Sequence, residues 1–175
     1  MGIVLTPDMR AVIQVSHLCF AATTFPDGRP NLSPKGTIRV WDDSRLFFLD
    51  IASPGTRANI AAGSLLELNV VDPISRRGYR FAGPAAIHST GDVFTEAVRR
   101  VVPDPAGGFA VHGVIVQTVE QASPLVSPGY WHVVDEAAMR DLWRARRAAL
   151  DAEFETYLAT VKPFRVEHHP ERPAR

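Results

Sequence analysis

Two runs decide the fold class: Pro30-Asn31-Leu32-Ser33-Pro34-Lys35-Gly36-Thr37-Ile38-Arg39-Val40-Trp41 and, after Asp42-Asp43-Ser44, Arg45-Leu46-Phe47-Phe48-Leu49-Asp50-Ile51. Successive side chains of a strand alternate faces. Leu32, Pro34, Gly36, Ile38 and Val40 therefore share one face, and Asn31, Ser33, Lys35, Thr37 and Arg39 share the other. The second run is apolar on both faces, the pattern of a central strand. A connection as short as Asp42-Asp43-Ser44 makes the two strands antiparallel neighbours.

Upstream, Leu18 to Phe25 is β-prone and ends at Pro26-Asp27-Gly28-Arg29, a hairpin turn that leads into Pro30. Before it, Thr6-Pro7-Asp8 has the order of a helix start: hydroxyl cap, proline, acid. A short helix is expected over 7–16. Downstream, a helical segment is expected from Thr56 to Ala62, with Thr56 as its cap and Gly63 closing it. Strands follow at 65–71 and 79–88, the latter bent at Gly83-Pro84. Thr90 is read as the cap of a helix over 91–102, and 103–108 as a loop. A sixth strand is expected at 109–119 and an irregular stretch at 123–131. A long helix from Asp135 to Val161 carries the stripe Met139, Leu142, Trp143, Leu150, Phe154, Tyr157, Leu158 and Val161. Sequential strands joined by short turns predict an α+β, mainly β fold: a six-stranded antiparallel Greek-key split β-barrel with peripheral helices. Residues 1–162 are read as one domain and 163–175 as a tail.

Composition removes several function classes. The 175 residues carry 19 Lys+Arg against 19 Asp+Glu, a net charge of zero. A dedicated nucleic-acid or anionic-membrane binder needs a basic surplus. A single cysteine, Cys19, excludes an internal disulfide and any multi-cysteine metal site. No apolar run approaches the ~20 residues that span a bilayer. The N-terminus lacks the charged-then-apolar pattern of a secretory signal, so a cytoplasmic setting is expected. Met1-Gly2 with Thr6 fits the myristoylation pattern, which is short enough to arise by chance, and Asn31-Leu32-Ser33 fits the glycosylation pattern, which means nothing without a secretory route. The six histidines form no ligand spacing, and Cys19 in an apolar strand reads as a buried, inert thiol. Gly-rich dinucleotide, Walker, nucleophile-elbow and zincin motifs are missing from the sequence.

Three polar clusters remain. Ser33 and Lys35, two residues apart on one strand face, supply a hydroxyl and a cation side by side, which suits a phosphate. Alternation alone is equally compatible with a solvated polar face. Thr56-Arg57-Ala58-Asn59 opens a helix, where backbone N–H groups and the dipole favour an anion; ordinary capping explains Thr56 as well. Arg76-Arg77-Gly78-Tyr79-Arg80 enters a strand and is also readable as a basic surface turn.

In order and spacing these clusters, with Leu46-Phe47-Phe48-Leu49-Asp50, Gly55-Thr56-Arg57-Ala58-Asn59-Ile60, Val71-Asp72-Pro73 and Gly83, resemble the pyridoxamine 5′-phosphate oxidase-like, FMN-binding split-barrel family. The resemblance is strongest over residues 15–90. It implies a homodimer with FMN in a groove at the interface. Lys35 and Arg57 would neutralise the FMN phosphate, with Ser33 and Thr56 as hydroxyl donors and Asn59 supporting that end or the ribityl chain. Leu49 and Asp50 would meet the ring edge through their backbone. Arg77, Tyr79 and Arg80, of this subunit or its partner, would lie near the ring or ribityl chain, and Tyr130 with Trp131 would wall the flavin face. An Arg-rich pattern on the second strand is replaced here by Ser33-Pro34-Lys35, and the tail Phe164-Arg165-Val166-Glu167-His168-His169-Pro170 does not reproduce the family's closing Arg-x-x-x-Pro segment. Oxidation of a vitamin B6 phosphate is therefore not the expected reaction.

The expected function is an FMN-dependent oxidoreductase that passes a hydride between a small-molecule or nicotinamide donor and the flavin. The alternatives are a non-catalytic flavin carrier, the same fold holding haem or a deazaflavin, and a structural dimer with an empty groove. No catalytic acid, base or metal ligand is assigned. The two-faced apolar strand and the striped last helix both suggest apolar surface left for a second copy.

Overall fold

The computed structural model describes residues 2–102 and 110–161. Helix α1 (Pro7–Ser16) starts as its sequence dictates: the Thr6 hydroxyl accepts from the Met9 amide at 3.2 Å, and Pro7 occupies the first turn. Strands β1 (Cys19–Thr24) and β2 (Pro30–Lys35) form the hairpin, turning at Gly28 with φ 86°. Then come β3 (Arg39–Val40), β4 (Arg45–Asp50), α2 (Pro54–Ala61), β5 (Leu66–Asp72), β6 (Arg77–Gly83), β7 (Ala85–His88), α3 (Gly91–Val101), β8 (Gly113–Thr118), β9 (Gln121–Val126), a 3-10 turn (Pro128–Trp131) and α4 (Glu136–Leu158).

The class is the expected α+β one, built from antiparallel sheets and peripheral helices. The strands form two sheets, ordered β2-β1-β5-β6-β9 and β3-β4-β8-β7. Among the described residues no hydrogen-bonded ring joins them into one closed cylinder. Six expected strands become nine for three reasons. The run 30–41 breaks at Gly36–Ile38, so its ends, β2 and β3, lie in different sheets. The run 79–88 breaks at Pro84 in the same way. There the turn demands glycine, because a Cβ on Gly83 would sit 2.0 Å from the Thr118 carbonyl oxygen. Finally, residues 121–126, whose second half was expected to be irregular, form β9. Pro124 is tolerated because β9 lies at the edge of its sheet.

The core lies between the sheets and includes Phe48, Phe81, Leu46, Leu66, Leu68, Ile38 and Ile115, closed at one end by Val12 and Ile13 of α1. Gln117 is buried among them and donates from Nε2 to the Leu66 carbonyl at 2.6 Å, tying the two sheets together. Strand β4 is central, between β3 and β8. Its second face does not wait for a partner: Phe47 and Leu49 pack with Ala97 and half-buried Phe94 of α3. Helix α2 begins two residues earlier than expected. Ser53 holds the cap position, Pro54 the first turn, and Thr56 is free for another role. Gly63 closes α2 at φ 90°, donating to the Ile60 carbonyl at 3.0 Å. Helix α4 ends at Leu158, three residues short of the expected end. The 103–108 loop, Phe109 at the start of the expected sixth strand and the 163–175 tail lie outside the described residues.

Candidate functional site

Strand β2 is inverted relative to an ordinary surface strand. Its polar side chains point inward: Asn31 and Ser33 are half-buried and Lys35 is 6% exposed, whereas Leu32 is 67% exposed. Pairing with β1 sets Ser33 opposite Ala21 and Lys35 opposite Cys19, both core-facing. Helix α2 then brings its first turn over this face. Ser33 Oγ and Thr56 Oγ1 lie 3.3 Å apart, and Asn31 Nδ2 donates to Thr56 Oγ1 at 3.2 Å and to Thr23 Oγ1 at 3.0 Å. Asn59 Nδ2 donates to the same Thr23 hydroxyl at 3.0 Å, and among the described residues its buried Oδ1 has no partner. The approach is close: a Cβ on Gly55 would meet Asn31 Oδ1 at 3.1 Å.

Lys35 Nζ donates to Ser33 Oγ and to the Pro34 carbonyl, and lies 5.7 Å from the Phe48 ring centroid. Among the described residues no carboxylate stands within ion-pair distance of it. Burial lowers its pKa from the ordinary lysine value. A cation costs free energy in such a setting unless an anion joins it. Lys35 lines a recess of about 310 Å³ together with Gly36, Thr37, Leu49 and the Ile51–Ser53 loop. The Leu49 amide donates to Thr37 Oγ1 at 2.9 Å. Ser53 makes no side-chain cap bond, so the first amides of α2 are not closed off by its hydroxyl.

Arg57 lies on the other side of the 51–53 loop. It lines a second recess of about 380 Å³ with Asp50 and His112. Its guanidinium donates to Asp50 Oδ2 at 3.3 Å, the His112 carbonyl at 3.0 Å and Ser89 Oγ at 2.8 Å. Asp50, nearly fully buried, accepts from the Ser53 amide at 3.1 Å. This Arg57–Asp50 pair pins the loop that separates the two recesses.

The remaining candidates are dispersed. Arg77 makes a bidentate pair with Asp8 at 2.7 and 2.9 Å and donates to Glu136 at 2.7 Å. The Tyr79 hydroxyl donates to Asp8 at 2.5 Å. The guanidinium and the phenol hold the Asp8 carboxyl down at about 2. Arg80, on the opposite face of β6, pairs with Glu67 at 3.0 Å. Tyr130 donates to the Ser75 carbonyl at 2.6 Å, and Trp131 is 82% exposed. Sequence reading brought Ser33, Lys35, Thr56 and Asn59 to one place but left out Thr23, the hydroxyl that both amides share. Its signal was available: in the hairpin register Thr23 stands opposite Asn31.

The fold and this seat define a two-sheet antiparallel protein with an unneutralised buried cation beside a helix N-terminus, a donor set that suits a phosphate monoester. The sequence pattern of the pyridoxamine 5′-phosphate oxidase family matches residues 5–123. HupZ of Group A Streptococcus is 31% identical, covering 70% of this chain and 94% of its own, with a TM-score of 0.62. An FMN-binding protein from Syntrophomonas wolfei (15% identity, 70% and 87% coverage, TM-score 0.58) and an F420 reductase (20% identity, 67% and 98% coverage, TM-score 0.52) share the fold. No curated protein sequence matches the chain significantly. The chain belongs to the pyridoxamine 5′-phosphate oxidase family.

Proposed function

We propose that this protein is an FMN-binding flavoprotein and an oxidoreductase, acting in the cytoplasm as a homodimer. The observation that carries the reading is Lys35: a buried ammonium with hydroxyl neighbours and no carboxylate within ion-pair distance among the described residues. Membership of the oxidase family supports the flavin. In this reading Lys35, Ser33 and Thr56 hold the phosphate; Asn31 donates directly to Thr56, and Thr23 accepts from both Asn31 and Asn59. The recess past Thr37 and Leu49 leads away from the phosphate seat and takes the ribityl end. Arg57 acts on the site by holding Asp50 and the 51–53 loop. Arg77 and Tyr79 serve to anchor α1 and α4. FMN, when bound, supplies the hydride acceptance, and the protein supplies placement and charge. Fold alone does not name the substrate.

The test is the visible spectrum of the purified chain, followed by titration with FMN and with riboflavin. The expected result is a twin-banded flavin spectrum and tighter binding of FMN than riboflavin. Lys35→Met should weaken FMN by about 10–100-fold, the range of one charge-assisted hydrogen bond, and leave riboflavin nearly unchanged. A colourless protein that binds neither compound would overturn the reading. A Soret band or deazaflavin fluorescence would transfer the groove to haem or a deazaflavin.

A further inference from the structure

Helix α4 lies beyond the family pattern, which stops at residue 123. Its face begins inside the protein and runs out of it. Met139 is fully buried, and Trp143 is half-buried under Arg76, whose guanidinium sits 4.1 Å from the ring centroid. The same face continues with Leu150, Phe154 and Tyr157, which are 38%, 55% and 58% exposed. Every residue from 144 to 160 is exposed. A solitary helix of this length is marginal in water, and an apolar stripe is stable only against something. The positions 143, 147, 150, 154 and 157 follow the heptad seam of a helix pair, apolar at all but Arg147.

Charge selects the occupant. Before Leu150, Arg140, Arg144, Arg146 and Arg147 outnumber Glu136 and Asp141, and Asp151, Glu153 and Glu155 follow it. Arg140, Arg144 and Arg147 pair with Glu136, Asp141 and Asp151 of their own helix, and the latter two pairs are exposed and weak enough to exchange partners. We infer that α4 pairs with α4 of a second copy of this chain, antiparallel, about a twofold axis at Leu150. Trp143 then faces the second copy's Tyr157, and Arg147 faces the second copy's Glu153. A parallel pair would set the arginine block against itself, which is unfavourable. The pairing does not depend on the flavin, and it differs from a contact through the sheets.

Cysteine cross-linking of the full chain tests it, because Cys19 is buried and contributes no background. Under a mild oxidant, Leu150→Cys should form a covalent dimer at least tenfold faster than Ala148→Cys on the opposite side of the helix. A mixture of Arg147→Cys and Glu153→Cys chains should give the mixed cross-link in preference to either self cross-link; preferred self cross-links would overturn the antiparallel order. Equal rates at 148 and 150 would overturn the pairing. Independently, Phe154→Glu should abolish amide-exchange protection over 144–160, and unchanged protection would count against the seam. FMN titration of the same variants keeps the flavin reading separate from this outcome.

Discussion

Cys19 and Lys35 stand opposite each other on neighbouring strands, and burial acts on both in opposite senses. It pushes the thiol up to about 12 and the ammonium down from its usual range, since each group loses water around its charged form. The thiol is therefore neutral throughout the working pH range. In native protein at pH 8 Cys19 should not react with an aromatic disulfide reagent within minutes, and one equivalent should react after denaturation. Fast reaction in the native state would show that β1 opens locally. The burial of Cys19 was legible from its apolar strand. The importance of Lys35 was legible only in part. Alternation groups Asn31, Ser33 and Lys35 on one face, but periodicity carries no information on which face turns inward. Helix α2 decides that, by packing its Thr56 turn onto the polar side.

At the scale of elements, α1, β6 and α4 are held by one guanidinium. Arg77 joins Asp8 of α1 to Glu136 of α4, and Tyr79 reinforces Asp8. The folded-state pKa of Asp8 is depressed from its ordinary 3.8 to about 2. Its contribution to stability is therefore complete above the ordinary value and is lost as pH falls through about 2. The Asp8 side chain remains 43% exposed, so the effect is limited to roughly 1 kcal/mol. Asp8→Asn should lower the denaturation midpoint at pH 7 and much less at pH 2, where its contribution is already being lost; an equal loss at both would point to packing instead. None of this was readable beforehand. Asp8 looked like a helix-start acid and Arg77 like a ligand contact, because a partner almost 70 residues away leaves no local trace. Strand β9 was hidden differently: Pro124 signals a break in an interior strand, and only sheet order shows that an edge tolerates it.

For the whole molecule, the outer face of the five-stranded sheet carries Phe20, Leu32 and Val71, which are 47%, 67% and 40% exposed. No such surface is left on β4, which α3 covers. The proposed homodimer thus has an apolar face available on β1, β2 and β5, on the side of the sheet opposite the Lys35 seat. In a Phe154→Glu chain, where the α4 pairing is removed, Leu32→Glu should weaken the remaining self-association at least tenfold in sedimentation runs at matched concentrations. An unchanged association constant would place the contact elsewhere.

The phosphate seat also has a place in time. Ser33 and Thr56 are 23 residues apart in the chain, and β1, β2 and α2 supply all of the clustered hydroxyls and amides. The pairing of β4 with β8, by contrast, matches Arg45 with Thr118 and must close a far longer loop. Short closures cost less entropy and come first on average. The nascent chain therefore holds every residue of the seat before it holds the strand that completes the second sheet.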